Sequence, residues 1–226
     1  MQKFERNPIK AFIFDMDGTI FDTERLYVKI WKMIGKEKNL NITDEMLESM
    51  RGMTREKVDE IFLLYNPGMD LKAARNLRTQ MLDEYIKKNG VPKKVGLDTL
   101  LQYLKAQRYK IAIGSSTGYE GVMKYLKAAH MENTFDFVGC GNMVSRSKPA
   151  PDLFQLCAHK LGCSPKDCVV VEDSPNGIKA GLALGGHTIG VQDITDITLL
   201  KPELDGYFQR LDNIIDWVEH YKKTTL

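Results

Sequence analysis

The chain's 226 residues exceed the ~150 of a common single domain without reaching two, so one large domain or a core carrying an insertion is expected. Its 32 basic residues nearly match its 30 acidic ones, and a net charge of +2 lacks the basic excess with which a nucleic-acid-binding domain meets phosphates. No apolar run nears the ~18 residues of a membrane span, and the opening MQKFERNP has no apolar centre of a signal peptide, so no membrane partner and a cytoplasmic location are expected.

In chain order, AFIFD (Ala11 to Asp15) reads as a buried strand, rich in apolar residues and ending on a polar one. From Thr23 to about Lys93 no strand pattern follows. TERLYVKIWKMIGKEK, TREKVDEIFLLY and DLKAARNLRTQMLDEYIKK read instead as amphipathic helices, the last two separated by the turn Asn66-Pro67-Gly68. Alternation then resumes, with LDTLLQYLKAQR, YEGVMKYLKAAH and PNGIKAGLALGG as helices and KIAIGSS, FDFVGC, CVVVED and HTIGV as strands. In SRSKPAPD, Pro149 is placed to open the next helix, and the terminal HYKKTTL reads as frayed. The expected architecture is α/β: a doubly wound parallel sheet with an inserted α-helical cap domain, residues 1–21 and 94–226 forming the core and 22–93 the cap. Tyr27, Trp31 and Met33 read as cap core. Cys140, Cys157, Cys163 and Cys168 form no C-x-x-C pair and read as buried, reduced thiols, and the four histidines read as structural.

Asp15 and Asp17 stand two apart, the spacing that faces one side of an extended chain, at the strand end where open α/β sheets bind ligands. Alone, a D-G pair is also a plain turn signal. Three other segments add to it. Ser115, Ser116 and Thr117 lead into a helix whose first amides are open to an anion. Glu172 and Asp173 end CVVVED, and Lys148 sits in SRSKPAPD. Each has an ordinary reading as a helix cap or a solvated lysine, but the joint pattern favours a site. Four carboxylates converging on one lysine need a cation, since two unit charges ~4 Å apart repel by about 4 kcal/mol at an effective dielectric of 20. An all-oxygen donor set points to Mg2+, and the hydroxyls, amides and lysine around it would receive phosphate. Counted from Asp15, the glycine comes at the fourth position, so the EF-hand pattern fails. A glycosidase carboxylate pair leaves Lys148 and the serine turn without a role.

DMDGT, GSST, SKPAPD and VVEDSPNG together resemble, in order and over nearly the whole chain, the haloacid dehalogenase-like superfamily of phosphatases and phosphomutases. The resemblance implies a Rossmann-like core with a helical cap after the first strand. It implies Asp15 as the nucleophile that carries an aspartyl-phosphate and Asp17 as the acid and base toward leaving group and water. Ser115, Ser116, Gly18 and Thr19 would serve phosphate binding, Thr19 by supporting its loop. Lys148 would offset charge at Asp15. Mg2+ would be held by Asp15, the Asp17 backbone carbonyl and Asp173, with Glu172 a ligand or just behind one. In the cap, Gly52 and Arg55 match the Gly-x-x-Arg element with which β-phosphoglucomutase-like enzymes grip the phosphate they do not transfer; the other reading is a solvated helix end capped by Thr54. Those mutases carry a histidine where this chain has Tyr27, so FDMDG followed by DTERLY resembles instead phosphatases of sugar phosphates or nucleoside monophosphates, pseudouridine monophosphate phosphatases among them. Asp22 and Thr23 are hinge candidates. The expectation is a monomeric, Mg2+-dependent phosphatase of a small phosphorylated metabolite, with a β-phosphoglucomutase-like mutase second and a phospho-acceptor signalling domain third.

Overall fold

The computed structural model describes residues 8–51, 53 and 55–225. The chain divides into two compact units, one gathering the residues up to Asp22 and from Pro92 onward, the other Thr23–Val91. The first is built on a six-stranded sheet: β1 (Ala11–Phe14), β2 (Lys110–Ser115), β3 (Phe137–Cys140), β4 (Cys168–Glu172), β5 (His187–Val191) and β6 (Gly206–Phe208). Their order is β3-β2-β1-β4-β5-β6, and every neighbouring pair is parallel. Such a sheet is covered on both faces, which is why AFIF is apolar at every position and wholly buried. The covering helices are α5 (Leu97–Ala106), α6 (Tyr119–Ala128), α7 (Asp152–Lys160), α8 (Pro175–Leu184) and α9 (Ile214–Thr225). The chain leaves β1 toward one edge through β2 and β3 and fills the other edge with β4, β5 and β6. β1 therefore lies at the point where strand order reverses, and its C-terminal end opens into the crevice that this topology creates.

Four features of this unit depart from the sequence reading. The edge strand β6 has only three half-buried residues, too few for a periodic signal. The described residues of HYKKTTL are not frayed. HYKKTT continues α9, where Tyr221 is buried and its hydroxyl meets His187 Nε2 at 3.1 Å. Pro149 does not open a helix: α7 starts at Asp152, and Lys148 and Pro149 lie in the turn before it. Of the thiols, Cys163 is half-buried, whereas burial pushes Cys140 up to about 11 and Cys157 and Cys168 up to about 12.

The second unit holds α1 (Thr23–Lys38), α2 (Asp44–Ser49), α3 (Arg55–Tyr65) and α4 (Leu71–Asn89). Leu26, Ile30 and Ile34, four apart on α1, are buried, and the Trp31 ring packs on Phe62 with centroids 4.6 Å apart. Met33 is 47% exposed and does not join this core. The six-residue α2 escaped the periodic reading; its start is fixed by Thr43, whose hydroxyl accepts the Met46 N–H. Asn66, read as a turn residue, also has a buried side chain that accepts the Asn41 N–H at 2.6 Å and donates to the Asn41 carbonyl. Among the described residues no helix is long and apolar enough to cross a membrane.

Candidate active site

β1 hands the chain straight to the site. The pairing with β4 extends one step past the strand, where the Asp15 N–H donates to the Val171 carbonyl at 3.0 Å, so Asp15 is set beside the end of β4. The backbone then turns instead of staying extended. Gly18 takes φ +83°, its N–H bonds the Phe21 carbonyl at 2.8 Å, and the Met16 carbonyl accepts from both Ile20 and Phe21. The two aspartates consequently take different partners. Asp15 Oδ1 accepts from Lys148 Nζ at 2.5 Å, and Asp17 Oδ2 accepts from the Thr117 hydroxyl at 3.1 Å.

Lys148 reaches the site from the turn before α7 and lies only 6% exposed between Asp15 and Glu172, with Nζ 2.6 Å from Glu172 Oε1. Burial alone would lower its pKa, but the charges of Asp15 and Glu172 outweigh burial and hold it raised, so it remains an ammonium. The other oxygen of Glu172 accepts three hydrogen bonds, from the Asp173 N–H and Ser174 N–H at 2.9 Å and from the Ser174 hydroxyl at 3.0 Å. Glu172 is thus clamped at both oxygens. Ser174 also caps α8 by accepting the Gly177 N–H at 3.1 Å.

Asp173 is buried and its Oδ1 accepts from the Thr19 hydroxyl at 2.8 Å. Thr19 is wholly buried, and its hydroxyl ties the loop after β1 to this carboxylate. Gly18 is likewise defined by Asp173: a Cβ there would stand 2.3 Å from Asp173 Oδ2. The carboxylates of Asp15, Glu172 and Asp173 place one oxygen each within 4.8 Å of one another. Burial above all pushes Asp15 up to about 8, against the pull of Lys148 and with Glu172 and Asp17 adding to the push. Burial, Glu172 and Asp15 raise Asp173 well above the carboxylate range. Three carboxylates against one ammonium, in oxygen-only surroundings with no side chain at Gly18 or Gly177 to fill the space, fit a small hard cation. Asp17 adds no carboxylate to this cluster. With Glu172 committed to Lys148 and to β4's own end, Asp15 and Asp173 are the side chains left to hold the ion.

On β2, Ser115 is the last residue, 1% exposed, and its Oγ accepts the Thr117 N–H at 3.1 Å; Ser116 is exposed. The first amide of α6 is not open to an anion, since the Tyr119 N–H donates to Asn142 Oδ1 at 3.2 Å. Arg55 opens α3 in the helical unit, but its side chain, with Gly52 and Thr54, lies outside the described residues. Tyr27 is half-buried under the Arg78 guanidinium, 5.1 Å from its ring centroid. Sequence reasoning placed Thr117 in the turn before α6 without seeing its bond to Asp17, and it missed Ser174. Both stand in the quoted motifs, and for Ser174 the pairing of a cap residue with a preceding glutamate was the available signal.

A family model for haloacid dehalogenase-like hydrolases matches residues 12–191, and the chain belongs to that family. It is an enzyme, a phosphoric monoester hydrolase. It is 31% identical over 205 residues to hexitol phosphatase A of Escherichia coli (strain K12), covering 91% of this chain and 93% of that protein. It is 30% identical over 193 residues to β-phosphoglucomutase of Bacillus subtilis (strain 168), covering 81% and 83%. In fold it is similar to a HAD family hydrolase from Deinococcus radiodurans R1, solved with bound phosphate and sodium, at a TM-score of 0.79, 23% identity and coverage of 92% and 93%.

Two predictions follow from this geometry. A Cβ at Gly177 would lie 1.7 Å from Glu172 Oε1, so Gly177→Ala must displace the glutamate that holds Lys148. Phosphatase turnover should fall by about a hundredfold or more, by analogy with the loss of a catalytic electrostatic contact, while circular dichroism stays that of the folded chain; unchanged turnover contradicts the role given to Glu172. The second concerns charge. Asp15 and Asp173 are raised above the ordinary 3.8, so the metal-free folded state holds more protons than the unfolded chain. The stability each contributes is fully present below its unfolded value and is lost as pH rises through its folded value, which for Asp15 is about 8. With EDTA, Asp173→Asn should therefore raise the Tm at pH 8 and flatten its pH dependence. A lower Tm for the variant at pH 8 contradicts this.

Proposed function

We propose that the protein is a Mg2+-dependent phosphatase of a small phosphorylated metabolite, a sugar phosphate or nucleoside monophosphate, acting through an aspartyl-phosphate at Asp15. The observation that carries the reading is the buried Lys148 bridge between Asp15 and Glu172 beside a three-carboxylate cluster. One Asp15 oxygen attacks phosphorus and the bond from phosphorus to the substrate's ester oxygen breaks, leaving the phosphoryl group on Asp15. Asp17, held off the cluster by Thr117, gives its proton to the departing oxygen. In the second half Asp17 takes a proton from water as that water attacks phosphorus, which releases inorganic phosphate and restores the Asp15 carboxylate. Lys148 and the Ser115 hydroxyl meet charge on the phosphoryl oxygens.

Asp15, Asp173 and the Asp17 carbonyl would hold Mg2+, which when bound neutralises the carboxylates and polarises the phosphoryl group. With a cation so held, Asp15 would keep the charged form that burial disfavours. The names of relatives that act on phosphorylated carbohydrates, hexitol phosphates and fructose 1-phosphate support a sugar phosphate. Tyr27, standing where the mutases carry a histidine, favours hydrolysis over transfer to a second site.

Phosphorus NMR with Mg2+ and a panel of hexose phosphates, hexitol phosphates and nucleoside monophosphates tests the reading. Inorganic phosphate should accumulate over many turnovers, and Asp15→Asn should lower the rate about a thousandfold or more. Glucose 6-phosphate formed from β-glucose 1-phosphate primed with the 1,6-bisphosphate would make the protein a mutase. One equivalent of phosphate retained on the chain, with no turnover, would make it a phospho-acceptor domain.

A further inference from the structure

A second buried ion pair stands at the same sheet edge and has no place in the chemistry above. Lys94 Nζ lies 2.7 Å from Asp193 Oδ1 and donates to the Gln192 carbonyl at 3.1 Å, with the two side chains 9% and 0% exposed. Lys94 follows the point where the chain re-enters the sheet unit. Its N–H bonds the Ile20 carbonyl at 3.0 Å, which ties it to the loop carrying Asp17, Gly18 and Thr19. Asp193 comes two residues after β5. Because Glu172 is in register with Gly190, Asp193 and Asp173 both lie just beyond the C-terminal ends of neighbouring strands. Asp193 also contributes to raising Asp173, after burial, Glu172 and Asp15.

Dehydrating two buried charges largely cancels their attraction, so a pair of this kind adds little to stability. What it fixes is position and the sign of the local field. Lys94 joins three segments: the re-entry of the chain, the loop after β1 and the loop after β5. The loop after β1 follows Asp15, and the loop after β5 continues from the strand paired with the one that ends just before Asp173.

We propose that Lys94 and Asp193 are a positioning pair for that cation: Asp193 deepens the negative potential at Asp173, and Lys94 limits it while holding the two loops in register. This rests on the Mg2+ reading above. Acting through Asp173, neither residue need touch metal or substrate. A purely structural pair would respond alike to loss of either partner. A pair that sets the potential responds with opposite signs, because Lys94→Met removes a positive charge and Asp193→Asn a negative one.

The test is Mn2+ binding to the full chain without substrate, read from the electron paramagnetic resonance of the free ion. Intact protein, Lys94→Met, Asp193→Asn and the double variant would be compared. Lys94→Gln and Asp193→Ser replace any variant that circular dichroism shows unfolded. Lys94→Met should bind Mn2+ more tightly and Asp193→Asn more weakly, each by about threefold to tenfold, and the double variant should return toward the intact chain. Unchanged affinity, or a shift of both single variants in one direction, overturns the inference and leaves the metal site standing. No Mn2+ binding by the intact chain overturns both.

Discussion

The structure depends on one constraint: a buried ammonium shared by two carboxylates. Lys148 lies 2.5 Å from Asp15 and 2.6 Å from Glu172, and all three are shielded from water. Loss of either partner from such an arrangement leaves an uncompensated buried charge, which is strongly unfavourable. The arrangement is also unbalanced, because Asp173 adds a third carboxylate to a cluster with one lysine. On the function proposed above, the folded chain is thereby prepared for two further charges of opposite sign, a cation between the carboxylates and a phosphoryl group at the ammonium.

The rest of the core serves that geometry. A parallel sheet with a reversal of strand order at β1 delivers Asp15 from one strand and Glu172 and Asp173 from its neighbour, with Ser115 from the strand on the other side. Glu172 is oriented by the first residues after its own strand, and Ser174, which helps to clamp it, also starts α8. Carboxylate cluster and helix start are thus one hydrogen-bonded unit. Gly18 and Gly177 are required for space, since a side chain at either would enter a carboxylate. At Gly18 the positive φ makes a second demand for glycine.

Much of this was legible in the sequence because it is local. Strand ends, the D-x-D-G-T run, Lys148 before a proline and the Glu172–Asp173 pair each announce themselves within a few residues. The doubly wound core with its helical insertion could also be read, since buried strands and amphipathic helices have different periods. What escaped depends on contacts far apart in the chain or on elements too short to have a period. Thr117 meets Asp17 across a hundred residues and Lys94 meets Asp193 across 99, so no local pattern marks them. The three residues of β6 and the six of α2 offer too few positions. The end of α9 looked polar enough to fray, yet Tyr221 anchors it against His187. Thr19 was read as a support for its loop, but its partner Asp173 stands 154 residues away and no local pattern names it.

The most direct test of the account is to trap the phosphoryl group where Lys148 and the carboxylates would receive it. The protein, turning over a phosphorylated substrate with Mg2+, would be quenched in acid, reduced with borohydride and digested for mass spectrometry. Reduction of an aspartyl-phosphate leaves homoserine in place of aspartate. The account predicts homoserine at position 15, only when substrate is present. An unmodified Asp15 under conditions of rapid turnover, or homoserine at another aspartate, would contradict it.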